Sequence, residues 1–380
     1  MESVSIVIGG DLGPTRSNFS NFASGGLSEV IDSQILSILA SADFRLFNLE
    51  IPLTDKRNPI SKDGPCLAAP SDTINGILSI RPSLFTLANN HIMDQGDSGL
   101  EDTISILKKN KIGFVGAGKN LNEASRPVIL EKNGWKLGVY GCAENEFSIA
   151  GISESGANPF DPLESLDHIQ TLKTKCDYLV VLYHGGKERY RLPSPELQKV
   201  CRKMISRGAN MVVCQHSHSV GSFEHYGKGT IVYGQGNFLF DRHDDEFYQT
   251  GLLIQIEVDS DIKVAYIPIR KRKNGVELSD QNIGEKILKD FYERSRAIQN
   301  PVFVEDEFDK YCMDNGQYYL ATLAGFGKTL RRIDKVLKQP FTRLIYSEAK
   351  LNTIRNHFEC ETHREIVLRY IKILNMGKKR

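Results

Sequence analysis

The sequence predicts an α/β fold, and two patterns in the first 275 residues support this prediction. Short apolar runs alternate with amphipathic stretches, which is typical of strands and helices that alternate along the chain. The runs are rich in Val and Ile, as expected for strands that are buried on both faces. Closely spaced strands late in this region predict a second sheet packed on the first. We therefore expect a two-sheet α/β sandwich.

The elements follow from the apolar periodicity of each segment. Strands are predicted at 4–8, 44–47, 83–87, 112–116, 127–131, 135–141, 178–183, 210–214, 229–233, 251–258 and 262–269. Helices are predicted at 27–39, 72–80, 96–109, 163–174 and 195–206. Asn133 and Gly134 favour a tight hairpin turn between the strands on either side.

From about residue 279 the chain becomes helix-like and almost free of strand runs. Helical stretches cover 285–298, 317–337 and 344–374, and Pro340 separates the last two. We therefore divide the chain into a domain at 1–275 and a C-terminal helical region at 276–380.

The composition is that of a globular protein, with 40% apolar and 25% charged residues. The seven cysteines are scattered and form no CxxC pair, which argues against a disulfide framework and a thiolate zinc site. No run approaches the roughly 20 apolar residues of a membrane-spanning helix. The N-terminus has no basic leader, so we expect a cytoplasmic chain.

The charge is distributed unevenly, because residues 331–380 contain 13 Lys or Arg against 5 Asp or Glu. This basic end either meets an anionic partner or forms a solvated helical face. Its helices lack a Trp anchor, since the only Trp is Trp135, and we do not expect peripheral membrane contact. The acidic body carries no readout motif, so we do not expect nucleic-acid binding.

Five predicted strands end in polar clusters, and these clusters carry the candidate chemistry. They are Asp11, Asn48–Glu50, Asn89–His91, His184 and His216–His218. Ligands of α/β sheets bind at the carboxyl ends of strands, and carboxylates with imidazoles suit Mn²⁺, Zn²⁺ or Fe²⁺. In an extended segment His216 and His218 would point the same way. Each residue alone has a structural explanation, such as a turn or cap, but together they predict a metal site.

Six segments around these clusters resemble one known family. They are Gly10-Asp11, Asn48–Leu53, Leu87–Gly96, Leu182–Glu188, Gln215–Val220 and Tyr233–Phe238. In this order and spacing they resemble the CapA-type poly-γ-glutamate capsule biosynthesis proteins, whose fold is similar to that of the calcineurin-like metallophosphoesterases. The resemblance extends from about residue 4 to 270.

The resemblance implies a site for two divalent metal ions. It implies that Asp11 and His218 bind the first ion, that Glu50 bridges, and that Asn90, His184 and His216 bind the second. His91 resembles the catalytic histidine, and Asn237 also matches a family position at the pocket, as a substrate contact or a supporting residue.

Charged residues near the site are candidates for substrate binding. Arg189 and Arg191 follow His184 and are suited to an anionic substrate, or else belong to a solvated loop. The residues at 242–245 follow Asn237 and are candidates for the pocket rim.

Two departures from the phosphoesterase pattern concern the first ion. Gly13 stands where these enzymes have a histidine ligand, and Glu50 replaces the usual Asp. Gln215 stands at a position where the capsule family usually has Gly or His.

The resemblance implies a metal-dependent hydrolase that acts on a phosphoester or similar anionic linkage in capsule or surface-polymer biosynthesis. Its partners would be an anionic substrate or polymer and other polymer-synthesis proteins. Two alternatives remain open. One is a non-catalytic accessory protein that binds a polyanion, and the other is an amide hydrolase or ligase acting on γ-glutamyl links.

Overall fold

The computed structural model describes residues 3–240, 245–259 and 261–377, with side chains described up to residue 374. The chain divides into two compact units, the first ending at Glu305 and the second beginning at Asp306. The candidate site lies entirely within the first unit.

The strands of the first unit are numbered in chain order. They are β1 (Val4–Gly13), β2 (Phe44–Leu49), β3 (Leu84–Thr86), β4 (Gly113–Val115), β5 (Ala117–Gly118), β6 (Val128–Lys132), β7 (Trp135–Ala143), β8 (Gly156–Ala157), β9 (Tyr178–His184), β10 (Met211–Gln215), β11 (Phe223–Tyr226), β12 (Gly229–Val232), β13 (Asn237–Phe240), β14 (Thr250–Val258), β15 (Ile262–Arg272) and β16 (Gly275–Leu278).

The α-helices are α1 (Phe19–Ser24), α2 (Ser33–Ser41), α3 (Ile74–Ile77), α4 (Gly96–Lys109), α5 (Leu121–Ala124), α6 (Ser165–Lys173), α7 (Pro195–Ser206), α8 (Gln281–Ala297), α9 (Pro301–Leu323), α10 (Lys328–Val336), α11 (Pro340–Ile345), α12 (Glu348–Glu359) and α13 (Glu361–Gly377). Short 3₁₀ turns lie at Leu27–Glu29, Ser71–Thr73, Leu78–Ile80 and Glu246–Gln249.

Two large sheets form the first unit, as the sequence predicts. The first has the order β16-β15-β14-β1-β2-β3-β4, with β13 also paired to β1, and the second has the order β11-β12-β10-β9-β7-β6. Strands β1 to β4 run parallel, as do β7, β9, β10 and β12. Each sheet therefore presents several parallel strand ends at one edge.

The two sheets pack face to face around a shared apolar core. Ile6 and Ile8 from β1 lie in the same buried cluster as Val180 from β9 and Val213 from β10. The opposite face of the first sheet packs on helices such as α2 and α4, and that of the second packs on α6 and α7. This arrangement confirms the predicted sandwich, because each sheet buries both of its faces.

Some local predictions were right and others were wrong. Helix α4 has the predicted bounds, and β6 and β7 form the predicted hairpin, in which Asn133 (φ 53°) and Gly134 (φ 76°) are left-handed. The continuous helix predicted at 317–337 is wrong, because the chain leaves the helix after Leu323 and restarts at Lys328. Two glycines, Gly325 and Gly327, lie in this break and disfavour helix.

The first unit includes α8, which the sequence analysis assigned to the C-terminal helical region. Phe291 of this helix is fully buried in the core shared by the two sheets. Its ring packs on Phe223 of β11, with ring centroids 5.1 Å apart. The helix therefore completes the core that the sheets begin.

The second unit consists of helices. Asp334 is buried there and accepts hydrogen bonds from the Phe341 amide and the Thr342 hydroxyl, so that α11 folds back on α10. Within the described part of the chain, no helix combines the length and apolar character needed to cross a bilayer.

Candidate metal centre

Most of the predicted site residues come together at the carboxyl ends of four strands. Glu50 directly follows β2, Asn90 and His91 follow β3, His184 ends β9, and the two histidines at 216 and 218 follow β10. Asp11 is different, because the prediction that its strand ends at Asp11 is wrong. Strand β1 continues to Gly13, since β13 adds a parallel partner beside it and pairs Asn237 with Asp11.

The first group of candidate ligands consists of Asp11, Glu50 and His218. One ligand atom from each lies within 4.8 Å of the others. His218 Nδ1 is 3.3 Å from Asp11 Oδ2, and His218 Nε2 is 3.8 Å from Glu50 Oε1. All three residues are buried, so the group forms a compact polar cluster inside the protein.

The second group consists of Glu50, His184 and His216, and it satisfies the same distance criterion. His184 Nε2 is 3.7 Å from Glu50 Oε1 and 3.1 Å from Asn90 Oδ1. The rings of His184 and His216 are adjacent, with centroids 4.6 Å apart. The two groups share Glu50, and the assignment of these residues as ligands of two ions stays a prediction.

The Glu50 carboxylate lies in surroundings that favour a bound cation. Its side chain is fully buried, and among the described residues neither carboxylate oxygen has a hydrogen-bond partner. Burial, together with the nearby Asp11 carboxylate, raises the pKa of Glu50 well above its ordinary value. A buried carboxylate without hydrogen bonds is costly, so these residues fit a bound divalent cation.

The neighbouring groups carry shifted pKa values of their own. Burial lowers the pKa of His184 well below its ordinary value, and the nearby His216 acts in the same direction. Burial likewise lowers the pKa of His216. Neutral imidazoles are the form that binds metal ions. Burial therefore favours the neutral, metal-binding form of His184 and of His216.

Asp11 and His218 form a mutually stabilising pair. Burial alone would raise the pKa of Asp11, but the hydrogen bond and the charge of His218 outweigh it and lower that pKa. Burial alone would lower the pKa of His218, but its hydrogen bond with Asp11 raises it. Each group therefore favours the charged form of the other.

Asn237 orients the ring of His218. His218 Nδ1 is 2.9 Å from Asn237 Oδ1, and an amide oxygen only accepts, so the ring nitrogen donates. This leaves His218 Nε2 free on the side of Glu50. A hydrogen bond on the far nitrogen commonly fixes a metal-binding histidine. A substrate contact by Asn237 stays a prediction.

Two asparagines that the sequence analysis gave no role connect the strand ends. Asn48 donates to Asp11 Oδ1 at 2.8 Å, and Asn89 donates to Asn48 Oδ1 at 2.9 Å. The Asn89 side chain in turn accepts from the His91 amide at 3.1 Å. The only sequence signal for these roles was that both asparagines belong to the polar clusters at 48–50 and 89–91.

The segment from His216 to His218 is not extended, and that prediction was wrong. His216 and His218 both have positive φ, at 89° and 53°, in a bend that follows β10. The His216 amide donates to Asp11 Oδ2 at 3.3 Å, which holds the bend against β1. Both rings still reach the site, with centroids 6.3 Å apart. The bend, and not strand alternation, places them there.

The candidate substrate-binding arginines have partners within the protein. Arg189 pairs with Asp245 at 2.7 Å. Arg191 donates to Val220 O at 3.3 Å and lies over the Phe247 ring at 4.7 Å. Substrate contact by either arginine stays a prediction. Of the predicted rim at 242–245, the residues 242–244 lie outside the described residues.

Gly13 occupies a position that has no room for a side chain. A Cβ atom there would lie 2.7 Å from the Phe240 ring. The Phe240 ring also contacts His218, with centroids 5.5 Å apart, and Tyr248 stacks on the same histidine at 4.6 Å. The Phe240 ring therefore occupies the space beside Gly13 and, with Tyr248, covers His218.

Several curated proteins are similar in sequence. The chain is 32% identical over 213 residues to the capsule biosynthesis protein CapA of Bacillus anthracis, with 54% of this chain and 52% of that protein covered. It is 29% identical over 209 residues to the PGA biosynthesis protein CapA of Bacillus subtilis, at coverages of 54% and 55%. A probable polyglutamine synthesis accessory protein of Mycobacterium tuberculosis is 28% identical over 216 residues, at coverages of 53% and 56%. The chain thus spans about half the length of these relatives.

Solved structures with a similar arrangement include two enzymes. One is a novel phosphatase from Mycoplasma pneumoniae, with 15% identity, a TM-score of 0.44 and coverages of 76% of this chain and 97% of that one. The other is a putative 5'-nucleotidase from Staphylococcus aureus, with 12% identity, a TM-score of 0.45 and coverages of 77% and 58%.

The family described as bacterial capsule synthesis protein PGA_cap matches residues 5–242, which is more than half of the chain and contains every candidate ligand. The predicted family is thereby confirmed, and this chain belongs to the bacterial capsule synthesis proteins of the PGA_cap family.

Proposed function

We propose that this chain is a metal-dependent hydrolase that acts on a phosphoester or a similar anionic linkage in the synthesis of a capsule or surface polymer. The observation that carries the proposal is the Glu50 carboxylate. It is fully buried, its oxygens lack hydrogen-bond partners among the described residues, and it belongs to both groups of candidate ligands. The family and the names of the relatives support the polymer context.

Two divalent cations would be held around Glu50. Asp11 and His218 would hold one, and His184, His216 and the Asn90 amide oxygen would hold the other. When bound, such ions activate water at neutral pH and neutralise the charge of a phosphoryl group. Imidazole nitrogens with carboxylate and amide oxygens suit Mn²⁺, Zn²⁺ or Fe²⁺.

His91 is placed to move a proton beside these ligands. Its Nδ1 is 2.6 Å from the buried Asp94 carboxylate, to which it donates. This hydrogen bond leaves Nε2 as the ring atom available to a substrate oxygen. A histidine so placed protonates a leaving group or stabilises the attacked oxygen, and such a step contributes roughly 10²–10⁴-fold to the rate.

The test is hydrolysis of bis(p-nitrophenyl) phosphate after chelation and reloading with Mn²⁺, Zn²⁺ or Fe²⁺. We expect turnover by the wild type and a loss of about 10²-fold or more in His91→Ala and His184→Ala. His225→Ala is the matched control, because His225 lies exposed on β11 and bonds only locally to Thr230 among the described residues. Full metal loading without turnover of phosphomonoesters or phosphodiesters would overturn the proposal.

A second candidate function is non-catalytic binding of a polyanion during polymer synthesis. The Phe240 ring beside Gly13 favours it, because a Cβ atom at position 13 would lie 2.7 Å from that ring, and the first ion would lack the histidine ligand that the phosphoesterase pattern has there. Co-sedimentation with poly-γ-glutamate tests it. Binding that survives His184→Ala supports this role, and binding that disappears together with the metal contradicts a metal-independent version of it.

A further inference from the structure

A buried lysine lies next to the candidate proton-transfer residue. Lys62 belongs to the loop between β2 and α3, and its side chain is only 2% exposed. Its ammonium pairs with Oδ1 of Asp94, whose side chain is fully buried. Lysines are rarely buried to this degree unless a partner neutralises them, so Lys62 and Asp94 form a structural ion pair of the site.

The ammonium contacts the segment that carries the site residues. Lys62 Nζ is 3.2 Å from Asn90 O and 3.2 Å from His91 Nδ1. Asp94 Oδ2 accepts from His91 Nδ1 and from the Leu67 amide, both at 2.6 Å. With the His91 Nδ1 proton directed to Asp94, the lysine acts on the ring through the carboxylate.

The loop that carries Lys62 is held against the same segment by its backbone. The Ile60 amide donates to Asp94 O at 3.1 Å, and the Asn58 amide donates to Gln95 Oε1 at 3.0 Å. Gln95 Nε2 donates to Leu67 O at 3.0 Å. These hydrogen bonds hold the loop in place, and the ammonium of the lysine therefore has a defined position.

We propose that Lys62 is a positioning residue for His91, in that its ammonium fixes the Asp94 carboxylate and thereby the tautomer and orientation of the His91 ring. The catalytic part of this inference rests on the proposed hydrolase function. The structural part does not, since the tautomer of His91 is observable in a protein without activity. Lys62 holds one carboxylate oxygen, which leaves the other directed at His91 Nδ1.

The first test is nitrogen NMR of histidine-labelled, chelator-treated full chain at alkaline pH, with the His91 signal assigned by its loss in His91→Ala. The wild type should show one tautomer with the proton on Nδ1, and Lys62→Met should show a mixture. The matched control is Lys56→Met, because Lys56 lies in the same loop and pairs with Asp102 at the surface, with a side chain 60% exposed. A single unchanged tautomer in folded Lys62→Met overturns the inference.

The second test is a kinetic double-mutant cycle on the reloaded protein. Lys62→Met should lower kcat by about tenfold to a hundredfold, because small misplacements of a catalytic group have effects of this size, and should leave KM and metal content unchanged. In the His91→Ala background the same substitution should have no further effect on kcat. An equal loss in both backgrounds contradicts action through His91.

Lys62→Gln is a second variant for the case that Lys62→Met does not fold, because glutamine keeps a hydrogen-bond donor for Asp94 and removes the charge. It should fold and should retain part of the His91 order that Lys62→Met loses. If the wild type shows no hydrolysis, the proposed function fails while the tautomer experiment still decides the inference. If the wild type hydrolyses and Lys62→Met matches it in kcat and tautomer, the inference fails while the function stands.

Discussion

Substituting Glu50 by glutamine should abolish the stabilisation of the protein by metal ions. Glu50 belongs to both candidate ligand groups, and its oxygens have no protein hydrogen bonds to lose among the described residues. The substitution keeps the shape of the side chain and removes its charge. It therefore weakens both cation positions at once while it relieves an unfavourable buried carboxylate in the metal-free protein.

The expected shift follows from linkage. At a metal concentration of about a hundredfold the dissociation constant, binding stabilises the folded state by about 2.7 kcal/mol. The first unit ends at Glu305, and at about 2.1 cal/mol/K per residue its unfolding entropy is about 0.6 kcal/mol/K. Binding of one ion should therefore raise the melting temperature of the wild type by about 4 °C relative to the chelated protein, and binding of two ions by about 8 °C.

Differential scanning fluorimetry on chelated and reloaded protein measures this shift. Glu50→Gln should show none, and its chelated form should melt at or above the chelated wild type. The matched control is Glu146→Gln, because Glu146 Oε1 is 3.7 Å from His216 Nε2 but belongs to neither group, and its side chain is 34% exposed. A full metal-induced shift in Glu50→Gln would show that the Glu50 carboxylate holds neither ion.

Three further predictions concern stability. The pKa of Glu50 is raised in the folded state, so the metal-free wild type binds more protons when folded than when unfolded. As the pH rises from the ordinary pKa of 4.5 towards the raised value, the wild type should lose about 1.4 kcal/mol of stability per pH unit relative to Glu50→Gln. Denaturant titrations across pH measure this difference, and a difference that does not change with pH contradicts the prediction. Phe291→Ala should cost about 3–5 kcal/mol in urea unfolding, since its side chain is fully buried, and a cost below about 1 kcal/mol would place α8 outside the core. Arg202→Met should cost about 3–5 kcal/mol, because Arg202 donates twice to buried Glu224, both at 2.8 Å, and Arg202→Met/Glu224→Gln should recover part of that loss.

The sequence was sufficient to predict the sandwich because its strands carry a strong local signal. Runs such as Val180–Leu182 are apolar throughout, and buried parallel strands need that pattern. The short strands β5, β8, β11, β13 and β16 were not predicted. Strand β13 forms because Asn237–Phe240 adds to the far half of β1, and no local periodicity reports such a long-range pairing.

The candidate ligands were predictable from their position at strand ends, but the way they are held was not. The bend that brings His216 and His218 to the site depends on a hydrogen bond from the His216 amide to Asp11, which is distant in sequence. Lys62 lies in an irregular loop with no periodicity, so only the fold reveals its pairing with Asp94. Sequence patterns identify donor atoms, and tertiary contacts determine their orientation.

Anomalous diffraction from crystals of protein purified without chelator would locate bound metal ions relative to Glu50. We expect two peaks, one on either side of Glu50, with Asp11 and His218 around the first and Asn90, His184 and His216 around the second. Elemental analysis that finds stoichiometric metal, together with peaks away from Glu50 or with a single peak that Glu50 does not contact, would contradict this expectation.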